Sequence, residues 1–375
     1  MKTKHLIMAM AALATAGCSQ NEITEQSPDA NPAIGFNVYT GTQTRGTEAT
    51  NSTLQTDGFG ILAYATGNTV WAGSTEAPNF MYNQEVTYSG GWSYTPVKYW
   101  PKNATDKITF FGYAPYESAP DAGTNKGIVL SAATDQGNPA ITFTVKDAAN
   151  DMIDLVTDES KKDQTSATAS GTVAFNFKHI LSRVKLVAKM NSALAADYNI
   201  VIKSAKILGS TSHAATKFYK TAKYTTDLSA GTNGAWAAGT TTFTSDYDLA
   251  SVLNTTSVTI KDYSAANGIK ISSGDATNEI PLFKTDNYLF LIPVTSLGAS
   301  DIQLAIEYDI VSTDAGDSSK TVVSHENATV KFPAGTLVKG TAYKYTFNIS
   351  MNEIVVTGEV DSNGWGTDTG GSLGA

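Results

Sequence analysis

The chain has 375 residues, of which 41% are apolar and 16% charged, and its formal net charge is −9. The apolar share is sufficient for a buried core, which argues against wholesale disorder. The low charged share and the abundance of Gly and Thr favour strands over coiled coils or helix bundles. Because no run of Lys or Arg offsets the negative charge, nucleic acid is excluded as a partner.

Residues 1–17 have the pattern of a signal peptide. Two lysines precede a short apolar run, residues 6–16, which is too short to span a bilayer. The only cysteine of the chain, Cys18, directly follows Ala-Gly and resembles the acylated cysteine of a bacterial lipobox. We therefore predict a lipid anchor on Cys18; an ordinary signal peptide with an incidental cysteine is the alternative. A polar, Pro-containing tether follows.

A short strand is predicted directly after the tether. Ile34, Phe36 and Val38 alternate with small or polar residues, which is the period of a half-buried strand. An exposed polar loop rich in Thr and Gly follows and carries Arg45. The second arginine of the chain, Arg183, falls in a predicted strand.

Short strands separated by turn residues recur through the rest of the chain. The clearest are predicted at residues 58–65, 80–94, 107–116, 140–146, 172–190, 343–350 and 353–360. Residues 148–160 have a weak helical or irregular character, and the polar segment 161–171 is a plausible domain junction. Many short strands with intervening turns are typical of β-sandwiches.

Catalytic chemistry finds little support. The sequence has no nucleophile elbow, zinc-peptidase motif or phosphate-binding loop, so we expect no enzyme activity, no catalytic residues, no cofactor and no metal. The carboxylates among residues 151–159 lack the spacing of a calcium loop and are interpreted as a solvated acidic loop. His179 lies beside apolar residues and is predicted to be a core or interface histidine.

Paired aromatic residues at 92–100 have two interpretations. Trp92, Tyr94, Tyr99 and Trp100 are predicted to pack within a hairpin and the core, and stacking on a sugar ring is the alternative.

Several segments occur in an order typical of one known family. They are the lipobox, FGILAYA, FMYNQEVTY, WSYTPVKYWP, ITFFGYAPY, FNFKHILSRVKL and the C-terminal YKYTFNISMNEIVVTGEVDSNGWG. In these segments the chain resembles the fimbrillin (Mfa-like) family of Bacteroidales over nearly its whole length. The resemblance implies an all-β fold with two tandem transthyretin-like, Greek-key β-sandwich domains. We place these at residues 46–168 and 169–375, after the tether and first strand at 18–45.

The resemblance also implies a function. It indicates a structural subunit of a cell-surface pilus that supports adhesion and is exported as an outer-membrane lipoprotein precursor. An Arg-specific protease would trim the precursor, and donor-strand exchange would join it to other pilin subunits, in a homo- or hetero-polymer. The alternative is a monomeric lipid-anchored surface protein or a tip adhesin that binds a glycan or a host protein.

Specific residues follow from that mechanism. Ile34, Phe36 and Val38 would form the removable propeptide strand, and cleavage between Arg45 and Gly46 would free it. The candidate donor strand carries Ile354, Val356 and Val360 on one face. The alternatives are that Arg45 is an ordinary surface arginine and that residues 353–360 form the last strand of their own domain.

Overall fold

The fold is almost entirely β. The structure is a computed structural model that describes residues 31–39, 49–191, 198–214, 217–228, 234–260, 262–272, 278–285, 287–312, 323–350, 353–361 and 365. Within these ranges one α-helix, α1, spans Asn51–Asp57, and one 3₁₀ turn spans Ala149–Asp151. None of the described helical segments is long and apolar enough to cross a membrane. The predicted all-β class is confirmed.

Twenty-six strands are present in the described ranges. The first thirteen are β1 (Gly35–Tyr39), β2 (Phe59–Gly67), β3 (Met81–Tyr88), β4 (Trp92–Ser93), β5 (Lys107–Ala114), β6 (Ile128–Leu130), β7 (Ala140–Thr144), β8 (Val156–Gln164), β9 (Thr172–Asn176), β10 (Lys178–His179), β11 (Ser182–Met190), β12 (Tyr198–Ile207) and β13 (Tyr219–Thr225). The others are β14 (Ala235–Trp236), β15 (Thr241–Thr242), β16 (Tyr247–Asp248), β17 (Thr256–Ile260), β18 (Tyr263–Ile271), β19 (Ile280–Pro281), β20 (Leu289–Leu291), β21 (Val294–Leu297), β22 (Gln303–Ser312), β23 (Val323–Lys331), β24 (Gly335–Leu337), β25 (Ala342–Ile349) and β26 (Ile354–Val360).

A six-stranded sheet in the first half is buried on both faces. Its order is β10-β8-β5-β2-β3-β4. Successive side chains of a strand point to opposite faces. In β2, Phe59 and Ile61 therefore join a core shared with β1 and β9, whereas Leu62 and Tyr64 join a larger core shared with β7 and β13. A strand with both faces buried needs apolar side chains at successive positions, which explains the continuous apolar run of β2.

Two further sheets build the second half around the larger core. One has the order β19-β11-β25-β26, with β20 also paired to β11, and the other has the order β17-β18-β12-β22-β23. β11 and β25 run parallel, and β26 returns antiparallel at the edge. Strands β9 and β10 follow the proposed boundary between residues 168 and 169 but pair with β1 and β8. The boundary itself stays a prediction.

The predicted polar loop ends earlier than expected. Ala49 and Thr50 are buried, and α1 starts directly after them. The Thr50 N–H donates to Thr53 Oγ1, and Thr50 Oγ1 accepts from the Thr53 N–H. This reciprocal capping box stabilises the helix start and is not evident from the sequence, because Thr replaces the usual Glu or Gln.

The interpretation of residues 151–159 as a solvated acidic loop is wrong for three of the four carboxylates. Asp154, Asp158 and Glu159 are each at most 4% exposed. The Glu159 carboxylate accepts from the Tyr224 hydroxyl and from two backbone N–H groups, those of Asp227 at 2.8 Å and Gly234 at 2.7 Å. Buried backbone donors need an acceptor, and here inward-facing carboxylates of β8 supply it.

Replacing Glu159 with Ala should strongly destabilise the protein. The Tyr224 hydroxyl and two backbone N–H groups would lose their acceptor, and each unsatisfied buried donor costs about 1–3 kcal/mol. We expect the free energy of unfolding, measured by urea titration, to fall by about 3–5 kcal/mol. Glu85→Ala is the control, because Glu85 is exposed and should shift it by no more than about 0.5 kcal/mol. Equal effects of the two variants would contradict this assignment.

Candidate functional site

The predicted removable strand β1 lies between two segments of the first half. On one side it runs parallel to β9, with Phe36 opposite Val173. On the other side the Ile34 N–H donates to the Lys98 carbonyl at 2.9 Å, and the Trp100 N–H donates to the Pro32 carbonyl at 3.0 Å. The backbone around the start of β1 is thus paired on both sides.

Aromatic rings line the place that β1 occupies. Ile34 is 1% exposed and Phe36 is 6% exposed, while Val38 is half-buried. The Phe36 ring centroid lies 5.0 Å from that of Tyr94, 5.8 Å from Phe110 and 6.0 Å from Phe175. We call β9, residues 98–100 and these three rings the first-strand groove. All three residues predicted to face inward therefore contact the core.

The paired aromatic residues mostly pack as predicted. Trp100 is 1% exposed, and its indole N–H donates to the Gly171 carbonyl. Trp92 is half-buried against Phe59, at a centroid distance of 5.0 Å, and the Tyr94 hydroxyl donates to the Ile34 carbonyl. Tyr99 differs from the others because it is 56% exposed. One exposed ring provides a poor platform for a sugar.

Four predicted site residues or boundaries lie outside the described residues. These are Cys18, Arg45, Gly46 and the polar loop that joins β1 to Ala49. The description resumes at Ala49, whose N–H donates to Asp154 Oδ2 at 2.9 Å.

The C-terminal strand β26 is an edge strand. Among the described strands it pairs only with β25, with Val356 opposite Phe347. Ile354 and Val356 are half-buried against the larger core, whereas Val360 is 58% exposed. Two of the three predicted donor residues therefore contact the core of their own subunit, and the third does not.

A close approach and an ion pair position β26. A Cβ atom at Gly358 would lie 2.5 Å from Cε1 of Tyr345, so glycine lets the strand pass over this ring. Lys344 of β25 lies 2.8 Å from Glu359 and 2.7 Å from Glu279. Hydrogen bonds to these two carboxylates raise the pKa of Lys344. Since Glu359 is largely exposed, its contribution to stability is small.

A buried cationic and aromatic cluster lies just beyond β26. Arg183 is 3% exposed in β11; its guanidinium lies 4.2 Å from the Tyr288 ring centroid and 3.6 Å from Asp361 Oδ2. Burial lowers the pKa of Arg183, and Tyr288 and Asp361 oppose that shift. Trp365 stacks on His179 at a centroid distance of 3.9 Å. His179 is buried, as expected for a core or interface histidine.

Sequence reasoning misses this cluster. The sequence predicts that the Gly-rich tail after Trp365 is not strand-like, and it assigns no role to Trp365 itself. The available signal is a tryptophan in an otherwise small and polar segment, because such a large apolar side chain is seldom left fully exposed.

Two other features of the described residues could bind a ligand or a metal ion: a cavity and the acidic side chains. Among the described residues no group of His, Cys, Asp and Glu could hold a metal ion. A cavity of about 600 Å³ is lined in part by Trp236, Lys217 and Lys339. Lys217 lies 3.4 Å from Asp301, and Lys339 donates to the Gly234 carbonyl. Both lysines therefore already have a partner within the protein.

Comparison with known proteins decides the family. Residues 44–365 match the model of a family described as fimbrillin-like. The chain belongs to the fimbrillin-like family. This confirms the resemblance found in the sequence.

Two individual proteins strengthen that assignment. Fimbrium subunit Fim1C of Phocaeicola vulgatus is 41% identical to this fimbrillin-like chain over 388 aligned positions, which cover 98% of both proteins. The crystal structure of a fimbrial protein from Bacteroides vulgatus superposes with a TM-score of 0.76 at 36% identity, covering 88% of this chain and 98% of that one.

Family membership also bears on the class of activity. These relatives are fimbrial proteins and not enzymes, which confirms the expectation that the chain is not an enzyme. The chain is a fimbrial subunit, which places it in a fimbria at the cell surface.

Proposed function

We propose that the fimbrillin-like chain is a structural subunit of a surface fimbria that is exported as a lipoprotein, trimmed after Arg45 and joined to other subunits by strand exchange. The names of its relatives, a fimbrium subunit and a fimbrial protein, support the assembly role. The observation that carries the mechanism is the position of β1. It is a short strand that precedes the predicted cleavage loop, yet it fills a buried groove of the first half.

Removal of β1 would leave that groove unstable on its own. Tyr94, Phe110 and Phe175 would lose their contacts with Phe36, and β9 would lose its pairing partner. An exposed sheet edge beside an apolar surface is a template for another strand. An incoming strand would restore the backbone hydrogen bonds and fill the groove with alternate side chains.

The C-terminal strand is the donor that we propose. Among the described strands, β26 has a hydrogen-bonded partner along one edge only, and its half-buried Ile354 and Val356 have the same spacing as Ile34 and Phe36. It can therefore leave its sheet without breaking a central strand pair. The first-strand groove of a neighbouring subunit, whether a second copy or a related chain, would receive these two side chains.

The test is assembly of the trimmed protein. Purified precursor from residue 19 onward is treated with an Arg-specific protease and followed by size-exclusion chromatography and unheated gel electrophoresis. The proposal expects a monomer before cleavage and a ladder of polymers afterwards. A trimmed protein that stays monomeric and binds immobilised glycans would instead support the surface-binding protein.

The lipid anchor has its own test. Cys18→Ala should leave the precursor unacylated and shift it from the membrane fraction to the soluble fraction, because the chain has no second cysteine to carry the lipid. Mass spectrometry of the precursor and fractionation of cells provide the measurements. Acylation that persists in the Cys18→Ala variant contradicts this part of the proposal.

A further inference from the structure

Trp365 packs against residues of two different sheets, the one that contains β10 and the one that contains β20. Its ring stacks on His179 of β10, with an interplanar angle of 10°, and on Phe290 of β20, with an angle of 17°. The Arg183 guanidinium lies 5.5 Å from the Trp365 ring centroid. His179 Nδ1 lies 2.8 Å from Oδ2 of the buried Asp154.

Asp361, directly after β26, forms a second set of contacts. The Asp361 N–H donates to the Ala342 carbonyl at 2.9 Å, and its carboxylate lies 3.6 Å from the Arg183 guanidinium. Arg183 thus contacts both Asp361 and Trp365. These contacts connect the end of β26 to β11 in the centre of the sheet.

The side chains of β26 hold the strand on its sheet less firmly than the contacts of Asp361 and Trp365 do. Five of the seven residues of β26 are exposed, and only Ile354 and Val356 are half-buried. The pairing with β25 occupies one edge of β26. Segments with few buried contacts open locally more often than the rest of a protein.

We propose that Trp365, with Arg183 and Asp361, forms a latch that holds the C-terminal strand on its own sheet and sets how often the strand becomes available to another subunit. The contacts that form the latch all lie within one subunit, so the latch does not depend on assembly. Its role in assembly rests on the proposed function, in which β26 is the donor.

The indole N–H of Trp365 is buried but forms no hydrogen bond with the described residues, which suits a latch that must open. The indole N–H groups of Trp100 and Trp236 donate to the carbonyls of Gly171 and Ile180, whereas that of the core residue Trp71, like that of Trp365, has no acceptor among the described residues. Trp365 is therefore retained by stacking and by the cation near its ring, without the indole hydrogen bond that Trp100 and Trp236 form.

The experiment compares two chains that differ by one residue. One ends after Trp365 and the other ends after Gly364, and Trp365→Ala in the full-length chain provides a third form. Amide hydrogen exchange of β26, read by mass spectrometry on precursor from residue 19 onward, reports its opening. Exchange of β11 serves as the internal control for global unfolding.

We expect β26 to exchange at least tenfold faster in Trp365→Ala and in the chain that ends after Gly364. Two stacked rings and a cation–π contact each contribute a several-fold factor. The chain that ends after Trp365 should stay within twofold of full length. Should the two latch-free forms not fold, Trp365→Phe retains part of the stacking and should give an intermediate acceleration. Unchanged exchange of β26 in whichever of these forms fold overturns the latch.

Assembly separates the latch from the donor role. After Arg-specific cleavage, Trp365→Ala should polymerise faster by a factor similar to its gain in exchange. Faster exchange without faster assembly supports the latch and contradicts β26 as the donor. Faster assembly with unchanged exchange overturns the latch, because strand release would then not depend on Trp365.

Discussion

Val356→Asp should abolish incorporation of the subunit into fimbriae while leaving its trimming after Arg45 intact. Val356 lies on the inward face of β26, and in a recipient groove it would be enclosed by aromatic rings. A fully buried aliphatic side chain contributes roughly 1.5–3 kcal/mol, which the variant would lose. A carboxylate buried there without a partner would cost several kcal/mol more. The expected result is a trimmed protein that forms no ladder on unheated gels of cell-surface preparations.

The neighbouring residue supplies a matched control. Val355 is 46% exposed and points away from the core, in the opposite direction to Val356. Val355→Asp introduces the same charge into the same strand and should still assemble. Circular dichroism and the yield of trimmed protein check that both variants fold. Normal ladders with Val356→Asp would exclude β26 as the donor and favour a tip subunit or a monomeric binding protein.

The sequence allows prediction of strands whose side chains follow a simple periodicity. β2 and β5 are continuous apolar runs because both of their faces are covered, and β1 is evident from Ile34, Phe36 and Val38. These patterns are local, so they are visible without knowledge of the fold.

The elements that sequence reasoning misses depend on partners far along the chain. β8 has an irregular pattern because its inward positions carry Asp158 and Glu159, and the acceptor role of Glu159 exists only once residues 227 and 234 are folded against it. The position of Trp365 likewise depends on His179 and Phe290, which are distant in sequence. Tertiary contacts of this kind leave no periodic pattern in the sequence.

Arg45→Ala should abolish trimming by an Arg-specific protease and keep the precursor monomeric. The chain has two arginines, and only Arg45 lies in a segment whose polar sequence predicts an open loop. Arg183 is 3% exposed within β11, which pairs with β25 and β20. A protease needs an exposed and extended segment, so it should not reach Arg183 in the native protein. Mass spectrometry of digested wild-type precursor should show a single cut, which gives a short peptide that ends at Arg45 and a large product that begins at Gly46.

Arg45→Lys separates the identity of the residue from the accessibility of the loop. An Arg-specific protease should leave this variant intact, whereas trypsin, which also cuts after lysine, should still cleave it before Gly46 at about the rate at which it cuts the parent. If both proteases cut the parent first at Arg183, the loop around Arg45 is not the accessible site. If Arg45→Ala still yields a product that begins at Gly46, the cleavage does not depend on the arginine. Without cleavage, Ile34 and Phe36 stay in the first-strand groove, so loss of trimming and loss of assembly should appear together.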